Sequence, residues 1–365
     1  MSKYLSITFI LLFVCCSEQS SKTVIDKQDY ENGYITEEQG KLIFDKLLLF
    51  PNNTQISLGF IKNGKAFYYG AKRESNKIVS VDNNEKIFEI GSISKVFTSS
   101  LLASFVIDGD LKLDDDISKY VGKLHKNQKI TFKELANHTS GLPRLAQNRG
   151  FGLFIDSENP YKNYGEKKLW EYLKEKMELG DKNYQYSNIG AAILGFVLGK
   201  INNKSYQDLV QERIFSKYQM KNTTTIRKDV EDKLVKGLDK NGKTTPNWDM
   251  AVHVGAGGIL STTKDLSKFA IAQLDTSNIE LALTRKKTYK IKEGRSVALG
   301  WHTINNDNMD EVYTHNGGTG GYTSSIRIDL KSKNGMIVLS NVSSYNENYT
   351  AIVELCNELL QTLAE

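Results

Sequence analysis

Two residues able to carry covalent chemistry stand three apart in FEIGSISKVF: Ser92 and Lys95. If Gly91 marks the turn into a helix, both side chains leave one face of its first turn. A serine hydroxyl is a weak nucleophile at neutral pH and needs a neighbouring base, so Ser92 is a candidate nucleophile and Lys95 a candidate proton acceptor. For that task the lysine must lose its proton easily, which burial and a nearby positive charge both favour. The spacing alone is weak, because a second Ser-x-x-Lys runs from Ser261 to Lys264. That copy follows the glycine-rich AGGIL and precedes KDLSKFA, the setting of a helix cap. Ser92 instead follows the apolar Phe88 and Ile90 and opens a helix through Val96, Phe97, Leu101 and Phe105.

Two further stretches carry groups that complete such chemistry. In DKNYQYSNIGAAILG, Tyr186 can share a proton with Lys95 and deliver it to a leaving group. Asn188 in the same stretch can hold Lys95 or a substrate amide, and can equally cap the helix IGAAILG. In YTHNGGTGGYTSS, His315, Gly317 and Gly318 precede a strand, and so many glycines mean either a turn or a close approach of substrate backbone. Each short pattern is common: Tyr-x-Asn recurs at Tyr30 and Tyr161, and His-x-Gly at His253. Their order along the chain and their placement on elements carry the weight.

The elements that must position these groups are legible. TEEQGKLIFDKLLLFP starts with Thr36 and has Gln39 three residues on, a capping box, followed by an apolar face of Leu42, Phe44, Leu47 and Leu48 that Pro51 ends. QISLGFI and AFYYGAK flank Lys62-Asn63-Gly64-Lys65, the strongest short hairpin signal, and SSIRIDL and GMIVLSNV flank Lys333-Asn334-Gly335 in the same way. NYTAIVELCNELLQTLAE closes the chain as an amphipathic helix. Between these ends a mostly helical middle runs without repeats. The pattern predicts an α+β fold: an antiparallel sheet built from both chain ends, flanked by terminal helices, with an inserted helical lobe over roughly 100–270. A cleft forms where sheet meets lobe.

The 365 residues, 39% hydrophobic and 25% charged, suit a sizeable buried core. Net charge is +5, but the lysines are interspersed with acids and no arginine-rich or aromatic-basic stripe occurs, which excludes nucleic acid as the expected partner. An apolar run from Ile7 to Cys16 is too short to span a bilayer and matches an export signal, expected over 1–16 and followed by a tether over 17–35 ahead of the domain at 36–365. Ending on cysteine, the run resembles a bacterial lipoprotein signal with lipidation at Cys16 or Cys15. An exported protein, periplasmic or at the cell surface and anchored to the membrane by lipid, is the expectation. The remaining cysteine, Cys356, is expected to be a buried core thiol.

Taken together, Ser92-x-x-Lys95, Tyr186-x-Asn188 and His315-x-Gly317 resemble the three motifs of the serine β-lactamase and penicillin-binding superfamily, in its class C β-lactamase, DD-peptidase and esterase branch. DGDLKLDDDISKYV, ITFKELANHTSGLP, AGGILSTTKDLSKF and ALGW add to the resemblance, which covers Thr36 to Leu360 in the expected order. It implies a β-lactamase/transpeptidase-like fold, a Ser92 acyl-enzyme, an oxyanion hole made by the N–H groups of Ser92 and Gly318, and a His315 that binds a substrate carboxylate or tunes the proton network. Which of Lys95 and Tyr186 acts as base stays open. Class C β-lactamases usually carry lysine in the third motif, whereas related DD-peptidases and D-amino-acid peptidases often carry histidine, as here. A histidine, often neutral at pH 7, holds a carboxylate less firmly. The expectation is a hydrolase of D-amino-acid peptides, the alternatives being a β-lactamase, a small-molecule esterase or amidase, and a non-catalytic penicillin-binding sensor. Expected substrates are small molecules or peptides. No Gly-x-Ser-x-Gly, His-Glu-x-x-His, Cys-x-x-Cys or Walker-type loop occurs, so no cofactor or metal is expected.

Overall fold

The structure, a computed structural model, describes residues 35–149, 158–306 and 309–363. The expected export signal, Cys15, Cys16, most of the tether and Tyr30 lie outside them. No helix among the described residues is long and apolar enough to cross a membrane.

The first expected hairpin joins β1 (Gln55–Lys62) to β2 (Lys65–Glu74), with Asn63 and Gly64 at φ 53° and 75° in the turn. Positive φ at both central residues matches the right-handed twist of the flanking strands. β3 (Lys77–Ser80) extends that edge, and β4 (Phe88–Glu89) pairs with β5 (Leu260–Ser261) in a separate two-residue ladder. The other strands are β6 (Tyr289–Lys292), β7 (Arg295–Val297), β8 (His302–Asn306), β9 (Met309–Gly318), β10 (Thr323–Asp329) and β11 (Asn334–Ser340). The antiparallel main sheet has the order β3-β2-β1-β11-β10-β9-β8-β7-β6, so the two chain ends meet where β1 pairs with β11. The second hairpin differs from expectation. Asn334 and Gly335 belong to the ladder, opposite Asp329 and Ile328, and the turn is made by the residues between, with Lys333 at φ 53°.

Both faces of the sheet are covered, which is why β10 and β11 read as unbroken buried runs. Met336 and Val338 point toward the terminal helices α1 (Glu37–Leu47) and, at the other end of the chain, Thr350–Gln361. Ile337 and Leu339 point toward the helical lobe. The lobe holds α2 (Ser94–Ile107), α3 (Asn188–Asn202) and α4 (Thr263–Leu274), and the final helix is α5 (Thr350–Gln361). The capping box is present: Gln39 N–H donates to Thr36 Oγ1 at 3.2 Å, and Thr36 N–H donates to Gln39 Oε1 at 3.0 Å. Cys356 is buried and unpaired. Each apolar side chain moved inside contributes roughly 1.5–3 kcal/mol, so two separate cores hold one sheet rigid from both sides.

The second Ser-x-x-Lys copy is structural, but its cap lies one residue on from Ser261. Thr262 caps α4 by accepting from Asp265 N–H at 3.0 Å, while Ser261 ends β5 with its hydroxyl 2.8 Å from that of Thr223. Lys264 pairs with Glu85 at the surface.

Candidate active site

A single 3-10 turn, Gly91–Ile93, leads from β4 into α2 and places Ser92 at the helix mouth. Lys95 Nζ lies 2.9 Å from Ser92 Oγ and donates to the carbonyl of Ala256 at 2.7 Å. Lys95 is 2% exposed and makes no ion pair among the described residues. Burial, and secondly the charge of Arg144, hold its pKa well below that of a free lysine. A neutral amine that gives one N–H to Ala256 can turn its lone pair to the serine proton.

Gly91 makes this geometry possible. It sits at φ 49°, and a Cβ there would lie 2.6 Å from Gly318 N. Only glycine lets the end of β9 come this close, so the Gly91–Ser92 turn and the Gly318 amide stand side by side. Gly317 is equally constrained: its Cβ would lie 2.0 Å from the Ile90 carbonyl, which also accepts from Ser324 Oγ at 2.9 Å.

Ser187, not Asn188, caps α3, its Oγ accepting from Gly190 N–H at 2.9 Å. Asn188 is the first helical residue, and its Nδ2 donates to Tyr161 Oη at 3.2 Å. Lys95 is held by Ala256 in its place, so the expectation that Asn188 holds the lysine is corrected. The Asn188 Oδ1 is buried without a partner, and Asn188 lines the same arm of the cleft as Ser92. Tyr186 faces the pair: Lys95 Nζ is 4.9 Å from its ring centre, and its hydroxyl hydrogen bonds Ser92. Burial of the phenol at the cleft floor raises its pKa above the free value, against the opposing effects of Ser92 and Arg144. Burial therefore pushes the lysine toward its neutral amine, while the tyrosine keeps its proton.

His315 is buried on β9, its Nδ1–H donating to the Asn316 carbonyl at 2.8 Å and its Nε2 unpartnered toward the cleft. Burial, His302 and Lys95 push its pKa well below the usual histidine value. A neutral imidazole forms no ion pair with a carboxylate, which leaves the proton-network part of its expected role. The sequence reading missed two more imidazoles here. His138, at φ 61°, accepts Gln185 N–H on its carbonyl at 2.8 Å and Ser187 N–H on Nδ1 at 3.2 Å, clamping the segment on both sides of Tyr186. Its ring centre is 4.6 Å from that of Tyr186. His302 stands 5.4 Å from His315 and bonds Tyr184 Oη at 2.6 Å. His138 immediately precedes Thr-Ser-Gly and His302 immediately follows ALGW; the quoted motifs contained the signal, but neither residue stood out by type.

Ser92 lies where two arms of a cleft meet. One, about 560 Å³, runs along β9 past Arg144, Tyr184, His302 and Arg295 to Arg327 and Val353. The other, about 270 Å³, is lined by Tyr161, Trp248, Met250 and Tyr345 and includes Asn188. Such a site can hold a chain on both sides of a carbonyl presented to Ser92. His253, the second His-x-Gly, packs between Tyr161 and Tyr164 away from the sheet. Among the described residues no group of three or more His, Cys, Asp or Glu is placed to hold a metal ion.

Comparison with known proteins agrees with this geometry. The profile of a family described as Beta-lactamase matches residues 54–355. The chain is 32% identical over 216 residues to Beta-lactamase-like protein 2 of Dictyostelium discoideum, a match covering 55% of this chain and 38% of that one. It is 26% identical over 317 residues to Protein flp of Staphylococcus aureus (strain MW2), covering 79% of this chain and 59% of the other. The matched chain thus spans about half the length of these relatives. Among solved structures, the octameric penicillin-binding protein homologue from Pyrococcus abyssi superposes with a TM-score of 0.73 at 25% identity, covering 88% of this chain and 77% of that one.

Proposed function

The chain belongs to the Beta-lactamase family, and from that premise we propose that it is a serine hydrolase that forms an acyl-enzyme on Ser92 and cleaves D-amino-acid peptides in the manner of a DD-peptidase. The observation that carries the reading is the buried, unpaired Lys95 Nζ at 2.9 Å from Ser92 Oγ. Neutral Lys95 takes the serine proton as Oγ attacks the carbonyl carbon. The developing oxyanion is received by the N–H groups of Ser92 and Gly318, each worth on the order of 3 kcal/mol in the transition state. Tyr186 gives its phenolic proton to the leaving amine and recovers one from Lys95, which returns the base to its neutral form. Water then attacks the ester by the same route in reverse, freeing Ser92.

The histidine in the third motif and the two-armed cleft support a peptide over a bicyclic lactam. The similarity to the penicillin-binding protein homologue points the same way. Export with a lipid anchor on Cys16 or Cys15 belongs to the same proposal, supported by the apolar run that ends at those cysteines.

Purified protein and its Ser92→Ala variant are to be assayed against a D-Ala-D-Ala peptide, benzylpenicillin and a chromogenic short-chain ester. Release of D-alanine that disappears in Ser92→Ala supports the proposal. Fast penicillin hydrolysis without peptide cleavage makes the protein a β-lactamase, and turnover of the ester alone makes it an esterase.

A further inference from the structure

Arg327 is a buried cation without a counter-ion. It lies on β10 with 7% exposure, makes no ion pair among the described residues, and its Nε has no hydrogen-bond partner. Leaving a guanidinium so desolvated is costly unless something anionic comes to it. The described residues do not supply that anion. The next carboxylate along the strand, Asp329, is taken up by its own turn, accepting from Lys331 N–H at 2.9 Å and Ser332 Oγ at 2.8 Å. Cys356, beside Arg327, has its pKa raised to about 11 by burial, so it stays a neutral thiol.

Arg327 pairs across the ladder with Thr314, whose Oγ1 is also buried without a partner. Both line the larger arm of the cleft, with Tyr349 and Val353 of the α5 end above them. That arm carries Arg144, Arg295 and Arg327, and among the described residues no aspartate or glutamate lines it. Thr314 is four residues back from Gly318 along β9, which at a strand's rise is about 13 Å from the oxyanion position.

We propose that Arg327 and Thr314 form a distal anion subsite that receives a carboxylate carried by the substrate well beyond the bond attacked by Ser92. This deepens the hydrolase reading above by naming the substrate class: acyl or peptide groups bearing a remote carboxylate. In this chain His315 at the third-motif position is neutral, and the positive charge sits on the neighbouring strand β10, at Arg327 opposite Thr314.

Two measurements on the purified protein test it. The first compares kcat/KM for mono-p-nitrophenyl esters of glutarate, adipate and suberate with their uncharged methyl diesters. Wild type is expected to favour the longer carboxylates by about tenfold or more. Arg327→Gln is expected to erase that ratio and Arg327→Lys to keep part of it. Thr314→Val, which changes shape little, reduces the ratio several-fold and serves if Arg327→Gln fails to fold. The second is titration calorimetry of suberate into Ser92→Ala, with and without Arg327→Gln, which needs no turnover. A wild-type enzyme that hydrolyses both ester series equally, or suberate binding that ignores Arg327, overturns the subsite while leaving the hydrolase reading intact. Arg327-dependent suberate binding in a protein that hydrolyses nothing keeps the subsite and overturns that reading.

Discussion

At the scale of single residues, the account rests on two groups whose charged forms burial disfavours. Burial and Arg144 both disfavour the charge of Lys95 and lower its pKa, and burial of Tyr186 disfavours its phenolate. In the proposed mechanism the active form has Lys95 without and Tyr186 with a proton. The rate therefore rises with pH as Lys95 loses its proton, reaches its plateau well below the free lysine value of 10.5, and declines only where Tyr186 ionises. A kcat/KM profile from pH 4 to 11 checks this; an acid limb centred near the free lysine value contradicts it. Lys95→Arg, which cannot deprotonate, is expected to lose at least about 10²-fold in kcat. Ser92, Lys95, Tyr186 and the third-motif glycines were legible because their types and order recur as chemistry. Arg327 was not: it sits in SSIRIDL as one charge among alternating residues, and only the fold shows that its face is covered and its cleft shared with Ser92.

At the scale of elements, the site depends on β9 and the Gly91 turn meeting without side chains between them. Gly317→Ala forces a methyl into the Ile90 carbonyl, so it should destabilise the fold by about 1–3 kcal/mol and abolish activity as Ser92 shifts. Gly64→Ala, at φ 75° with open space around it, should cost about 1 kcal/mol and leave turnover alone. Urea unfolding and ester assays on both variants separate the two cases; equal behaviour contradicts the packing argument. The first hairpin was readable because Asn-Gly dictates its own turn. The second was misread because Asn334-Gly335 can also sit inside a ladder, and tertiary pairing with Asp329 and Ile328 decides. The cap of α3 was misplaced for a similar reason: Ser187 and Asn188 both suit the position, and the local hydrogen bond to Gly190 favours Ser187.

At the scale of the whole molecule, the packing of lobe and sheet buries several imidazoles in neutral form. His253 is held at about 3 and His302 at about 4, chiefly by burial, against 6.5 when free. Between those values the unfolded chain binds more protons than the folded one, so stability falls as pH falls. The contribution is full above pH 6.5 and is lost progressively toward pH 4; each group is worth at most roughly 3–5 kcal/mol. The melting temperature should drop over that window, and His253→Phe, which keeps the contacts to Tyr161 and Tyr164, should flatten the drop. A melting temperature independent of pH from 7 to 4 would contradict it. The architecture was legible because both ends of the chain carry period-2 strands and apolar helices. The two arms of the cleft were not, because the loops that wall them, around Arg144, Trp248 and Tyr345, have no periodicity to read.

The central claim, that Ser92 is the nucleophile, is tested most directly by intact-mass spectrometry of acid-quenched mixtures of the protein with benzylpenicillin and with a p-nitrophenyl ester. The account predicts a single acyl mass increment in at least one mixture, mapped to the peptide containing Ser92 and absent from Ser92→Ala. An increment on another residue, or one that survives in Ser92→Ala, or none with either reagent, contradicts it.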